Sequence, residues 1–180
     1  MGAVILGIIP ARAGSKRCPG KNLIPYKGRI LIDRAIDQAQ GAKLLDKFVV
    51  STDDPEVIRI CEGRKILYIK RSAEIASDTS TSEAVVLEVL DILDADWVVL
   101  LQPTSPNRTA EDIDACIAAA LIDGSGAVSI RTDTFEVNGA VYVLPSEHLK
   151  AGGRFDVPLR GYPMPPERSL DIDYPEEFDL

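Results

Sequence analysis

Short runs of nearly continuous Val, Ile and Leu recur along the chain, at Val4–Ile9, Phe48–Val50, Ile66–Ile69, Trp97–Leu101, Ala127–Ile130 and Ala140–Leu144. Apolar runs of this length, without polar alternation, predict strands covered on both faces of a sheet. Helical spacing lies between them. Leu31, Ile32, Ala35, Ile36 and Ala39 fall on one helical face. Val57, Ile58 and Cys61 do so behind Asp53-Asp54-Pro55, where an acidic cap and a first-turn proline open a helix. Ser82-Glu83 leads into Ala84–Leu93, and Thr109 with Asp112 makes a capping-box-like start for Ile113–Leu121. Alternating strand and helix predicts an α/β fold with a mainly parallel, helix-covered sheet, as one domain over residues 1–180.

Ligands of such sheets bind beyond the carboxyl ends of the strands. That singles out Pro10–Gly28, the turn-rich segment that follows the first strand directly. Between Ile8 and Asn22 it carries Arg12, Lys16, Arg17 and Lys21 and no carboxylate, in a chain of formal net charge −8. Gly14 and Gly20 let backbone amides approach a ligand, and with Ser15 and the cations they can cradle phosphate. A solvated basic loop is the bland alternative, and the position at a strand exit favours the anion site. The segment is not a Walker A loop, because five residues rather than four separate Gly14 from Gly20-Lys21, and Asn22 stands where Ser or Thr is needed. No GxGxxG dinucleotide fingerprint occurs.

Composition narrows the function classes. A hydrophobic fraction of 46% supplies a packed interior for 180 residues. The acidic balance disfavours a nucleic-acid groove, which needs a basic field. No apolar run reaches the length of a membrane span, and the start lacks the basic lead and cleavage site of a signal peptide. Cys18, Cys61 and Cys116 are widely spaced, with no metal-ligand pattern, and read as reduced thiols. These features predict a cytoplasmic protein. His148, the one histidine, lies in polar PSEHLK and reads as a surface residue rather than a base.

The run IIPARAGSKRCPGKNLIPYKGRILI resembles the signature of the acylneuraminate cytidylyltransferase family. Further similarities follow in order: VVSTDD at Val49–Asp54, RSAEIASDTSTSEAV at Arg71–Val85, LLQPTSPNRTAEDID at Leu100–Asp114, NGAVYV at Asn138–Val143, and PERSLDIDYPEEF at Pro166–Phe178. The resemblance implies a Rossmann-like nucleotidyltransferase domain. It implies CMP transfer from CTP to a 2-keto sugar acid of the sialic-acid type, with release of pyrophosphate and help from Mg²⁺. In that light Arg12, Ser15, Lys16 and Lys21 embrace the triphosphate, and Asn22 contacts the nucleotide. Arg71 and Ser82 lie around cytosine and ribose. Gln102 faces the sugar, with Thr104 and Ser105 nearby. Arg108 takes either the sugar carboxylate or a structural place at the start of a helix. Arg12, Lys21, Asp171 and Asp173 are the catalytic set. Residues two apart on an extended segment share a face, so Asp171 and Asp173 together suit a hard cation. By themselves they read equally as part of an acidic tail.

The chain also departs from the family. Typical members carry a longer insert before NGAVYV, bearing a dimerisation arm and part of the sugar pocket, where Arg131–Val137 stands here. Relatives also continue past DIDYPEEF into a final helix. The expected state is therefore a monomer, or a dimer through a different surface. Two alternatives stay open: a CTP-binding paralogue with weak turnover, and a cytidylyltransferase for pseudaminic, legionaminic or 3-deoxy-octulosonic acid.

Overall fold

A computed structural model describes all residues except Met1, Lys16, Asp78, Val157, Pro158 and Leu180. The strands are β1 (Ile5–Pro10), β2 (Pro25–Tyr26), β3 (Arg29–Ile30), β4 (Lys47–Thr52), β5 (Tyr68–Lys70), β6 (Trp97–Leu100), β7 (Ala127–Arg131), β8 (Val137–Pro145) and β9 (Arg160–Met164). The helices are α1 (Leu31–Gly41), α2 (Pro55–Arg64), α3 (Ser82–Leu90), α4 (Ala110–Leu121) and α5 (Ser146–Lys150). Seven strands form one sheet in the order β5-β4-β1-β6-β8-β7-β9. Strands β5, β4, β1 and β6 run parallel, β8 is antiparallel to both β6 and β7, and β9 is parallel to β7. The expected mainly parallel α/β sheet is thus observed.

The apolar runs are buried because helices cover both faces. Ile9, Val50, Val99 and Val141 pack with Ile32, Ile36, Val57, Ile113 and Ile117 of α1, α2 and α4. Leu6, Ile8, Val49, Val98 and Leu100 pack on the other face with Val86 and Val89 of α3 and Leu149 of α5. Alternate residues of each strand serve opposite layers, as the pleat requires. The predicted caps form. Asp54 Oδ1 accepts from Glu56 N–H at 2.9 Å, and Thr109 and Asp112 make a reciprocal capping box.

Four elements, β2, β3, β9 and α5, have no signal in the apolar pattern. Strand β9 (RGYPM) has no apolar run and tolerates Pro163 because it lies on the sheet edge. The β2–β3 hairpin turns at Lys27 and Gly28, both at positive φ, which is the geometry of a two-residue primed turn. Helix α5 puts His148 on its flank, where Nε2 lies 3.1 Å from the Arg154 carbonyl. Cys18, Cys61 and Cys116 are free and buried, and burial pushes the Cys61 and Cys116 thiols up to about 11 and about 12. Among the described residues no helix is long and apolar enough to cross a membrane.

Candidate active site

The carboxyl ends of β1, β4, β5 and β6 release their loops on one side of the sheet. A cleft of about 460 Å³ opens there. The loop after β1 forms its first wall. Backbone and side-chain bonds brace it: Ala11 N–H donates to Ser51 O at 2.9 Å, Thr52 Oγ1 donates to Ala11 O at 2.6 Å, and Ala13 N–H donates to Asp53 Oδ1 at 2.9 Å. Asn22 is buried and donates to Arg12 O at 3.1 Å. The loop closes through Gly20 at φ 68, a left-handed conformation that glycine adopts without cost. So fixed, it presents Arg12, Ser15, Arg17, Lys21 and Asn22 to the cleft.

The opposite wall comes from the segment between β5 and α3. Arg71 is 5% exposed yet reaches the cleft, and its guanidinium donates to Ser51 Oγ at 3.2 Å and Ser51 O at 3.1 Å. Burial lowers its pKa from the usual arginine value, against the pull of Asp53 and Glu88. Ser77, Ser80, Thr81 and Ser82 complete this wall. Thr81 caps α3 by accepting from Ala84 N–H at 3.2 Å, so the positive end of a helix borders the cleft. Ser80 Oγ is buried without a partner among the described residues. Arg12 spans the two walls, donating to Ser77 O at 3.1 Å.

Gln102, Pro103 and Thr104 after β6 make the third side. Of the residues expected here, the cleft therefore gathers Arg12, Ser15, Lys21, Asn22, Arg71, Ser82, Gln102 and Thr104. Lys16 lies outside the described residues. Ser105 is buried behind the wall, its Oγ without a partner among the described residues.

Arg108 does not line the cleft, and of the two places expected for it, sugar carboxylate or structural, its contacts match the structural one. It is 2% exposed and donates to the Ala140 carbonyl, to Gln38 Oε1 at 2.7 Å and to Gln102 O at 3.3 Å. Burial lowers its pKa to about 9, and Asp112 opposes that fall. Its place is structural: it braces the Gln102–Arg108 loop against β8 and α1.

Asp171 and Asp173 reach the site from the far end of the chain. Four tethers set their segment. Arg168 Nε donates to Asp112 Oδ2 at 2.9 Å, Asn138 Nδ2 to Ser169 Oγ at 2.9 Å, Asn107 Nδ2 to Glu167 O at 3.0 Å, and Ile172 N–H to Thr104 O at 2.8 Å. Ile172 is buried against Tyr26 and Leu31 and anchors the two acids that flank it. Asp173 accepts from Arg17 Nη1 at 2.6 Å and from Lys21 Nζ at 3.1 Å. Asp171 is exposed. Partial desolvation by the protein around its carboxyl, together with the Asp173 charge, raises that carboxyl above the usual range, against the pull of Thr104 and Lys21.

Ser77, Ser80 and Thr81 had no role assigned from the sequence, and Arg17 had one only as a cation of the phosphate-cradling run. Thr81 carried a signal, as a capping residue directly before Ser82. Arg17 stood in the basic run, but its carboxylate partner is 156 residues away.

A family model described as Cytidylyltransferase matches residues 6–147. The chain is 38% identical over 134 residues to the CMP-N,N'-diacetyllegionaminic acid synthase of Legionella pneumophila, covering 70% of this chain and 57% of that protein. It is 30% identical over 209 residues to an N-acylneuraminate cytidylyltransferase of Streptococcus agalactiae serotype V, covering 95% and 51%. The chain thus spans about half the length of these curated relatives. A solved CMP:2-keto-3-deoxy-manno-octonic acid synthetase in complex with CTP superposes with a TM-score of 0.79 at 17% identity, over 98% of this chain and 96% of that one, which shows a shared fold.

Proposed function

The chain belongs to the cytidylyltransferase family, and on that premise we propose that it moves CMP from CTP onto a 2-keto sugar acid of the sialic-acid type, releasing pyrophosphate. One observation carries the reading. Arg12, Arg17, Lys21 and Arg71 line a single cleft at the carboxyl ends of the parallel strands, with Asp173 joined to Lys21 beside it.

In this reading the acceptor hydroxyl attacks the α-phosphorus of CTP and the bond to the pyrophosphate oxygen breaks. Negative charge grows on the leaving phosphates, and fixed cations stabilise it without reorganising. In this reading Lys21, Arg17 and Arg12 supply those cations, from a loop already braced by Asn22 and Asp53. Arg71, Ser80 and Ser82 offer donors and acceptors to the nucleoside from the opposite wall. Gln102 and Thr104 border the acceptor side.

The chemistry of Asp171 and Asp173 fits a divalent cation. Both are hard oxygen donors, and among the described residues no group of three or more His, Cys, Asp or Glu could hold a metal by itself. A pair of carboxylates that shares the ion with phosphate oxygens is the usual Mg²⁺ arrangement. When bound, Mg²⁺ supplies Lewis-acid charge to those oxygens.

The relatives named above act on three different acids, so the acceptor is assigned here only as a class. Pyrophosphate release from CTP and Mg²⁺, measured across neuraminic, legionaminic, pseudaminic and 3-deoxy-octulosonic acids, tests the reading. Release that depends on one or more of these acids supports it, and no release with any of them refutes transfer.

A further inference from the structure

Both oxygens of Asp173 are occupied by cations: Arg17 Nη1 lies 2.6 Å from Oδ2 and Lys21 Nζ lies 3.1 Å from Oδ1. The guanidinium of Arg17 also sits over the Tyr174 ring, 5.7 Å from its centroid, which directs it toward the carboxylate segment. The Asp173 backbone is held in turn, its N–H donating to Glu177 Oε2 at 2.6 Å. Arg17 and Lys21 nevertheless line the cleft. The same two cations therefore have two sets of claimants, the Asp173 carboxylate and any polyphosphate in the cleft.

A divalent cation arriving alone at Asp173 would have to displace two bound cations and then lie beside them. A polyphosphate arriving first draws those cations to its own oxygens and frees the carboxylate. We propose that Arg17 is a positioning residue that couples the two ligands: it suppresses metal binding at Asp173 in the free protein and yields the carboxylate once polyphosphate occupies the cleft. The proposal rests on the nucleotide reading given above. Because coupling is reciprocal, the metal tightens nucleotide binding by the same factor. Arg17 suits this role better than Lys21, because its side chain is 59% exposed, whereas that of Lys21 is 19% exposed.

The test is Mn²⁺ binding, followed by loss of the free-ion paramagnetic resonance signal, on the full chain. Wild type, Arg17→Ala and Arg17→Lys are compared with and without a CTP analogue whose α,β-bridge is methylene. The exposed position of Arg17 keeps the variants folded, which a circular-dichroism melt checks. Arg17→Ala is expected to bind Mn²⁺ without nucleotide roughly fivefold or more tightly than wild type. The analogue then tightens its Mn²⁺ binding by a smaller factor, and Arg17→Lys keeps most of the wild-type behaviour. Equal nucleotide-free Mn²⁺ affinity in wild type and Arg17→Ala overturns the proposal, and with analogue binding intact it leaves the cytidylyltransferase reading standing. Failure of the analogue to bind any form refutes that reading instead, while the nucleotide-free comparison still decides the role of Arg17.

Discussion

Lys21 and Asp173 are 152 residues apart in the chain and 3.1 Å apart in the fold, Nζ to Oδ1. This contact joins the cationic loop after β1 to the acidic segment near the end of the chain. It brings the groups that would bind phosphate beside those that would bind a metal. Neither segment could hold both.

Lys21→Ala should impair turnover far more than folding. The loop is braced by Asn22, Thr52 and Asp53 without help from the Lys21 ammonium. Its pair with Asp173 is partly exposed, and such pairs contribute roughly 0–1 kcal/mol. Loss of one preorganised donor typically lowers rate by about 10²–10³. Steady-state pyrophosphate release read beside a thermal melt checks both halves, and normal turnover would remove Lys21 from the catalytic set.

Asp171→Asn and Asp173→Asn should each raise the Mg²⁺ concentration needed for half-maximal activity, because asparagine keeps the shape and loses the charge. Glu176 is the matched control. Glu177 is not, because its Oε2 accepts from both Asp173 and Tyr174 N–H, at 2.6 and 2.8 Å. A metal titration in which Glu176→Gln shifts as far as the two aspartate variants would make the acidic tail diffuse rather than a site.

Asp112 and Arg168 give a prediction in pH. Asp112 is 1% exposed and its carboxyl would rise on burial, but donors from Arg168, Thr109 and Tyr162 outweigh that and hold it below the usual range. A depressed folded value means stability that is present above the unfolded pKa, about 3.9, and is lost as pH falls through the folded one. Arg168→Leu strands a buried carboxylate and should cost about 1–3 kcal/mol at neutral pH. That corresponds to ~2–4 °C of melting temperature per kcal/mol in a domain of this size. The variant's deficit should shrink in acid, once Asp112 is protonated in both states. A deficit independent of pH, or none, contradicts the assignment.

The fold and the cleft were legible in the sequence to different depths. Strands β1, β4 and β6 declare themselves because burial on both faces gives each an unbroken apolar run, Ile5–Ile9, Phe48–Val50 and Trp97–Leu100. The caps at Asp54 and Thr109 declare themselves because their partners lie within three residues. Strand β9 does not, since an edge position admits Gly161 and Pro163 in place of an apolar run. The place of Arg108 was undecidable for a related reason. Its partners Gln38 and Ala140 are 70 and 32 residues away, and a guanidinium on three neutral acceptors has no local signature. The pairing of Arg17 with Asp173 is of the same long-range kind.

The β7–β8 connection bears on assembly. It is a closed turn in which Arg131 N–H donates to Glu136 O at 2.8 Å and Phe135 is left exposed. So short a loop cannot supply an arm reaching a partner. Light scattering at micromolar concentration should therefore give a monomer, or a dimer unaffected by Phe135→Ser. A dimer that Phe135→Ser dissolves contradicts this.

A cleft that takes CTP for the proposed reaction should discriminate cytidine from the other bases. The most direct measurement is a thermal-shift series with CTP, ATP, GTP and UTP in the presence of Mg²⁺. CTP should give a shift well above the other three, reaching about 2.7 kcal/mol of added stability at roughly 100 times the dissociation constant. Equal shifts with all four nucleotides, or none with CTP, would contradict it.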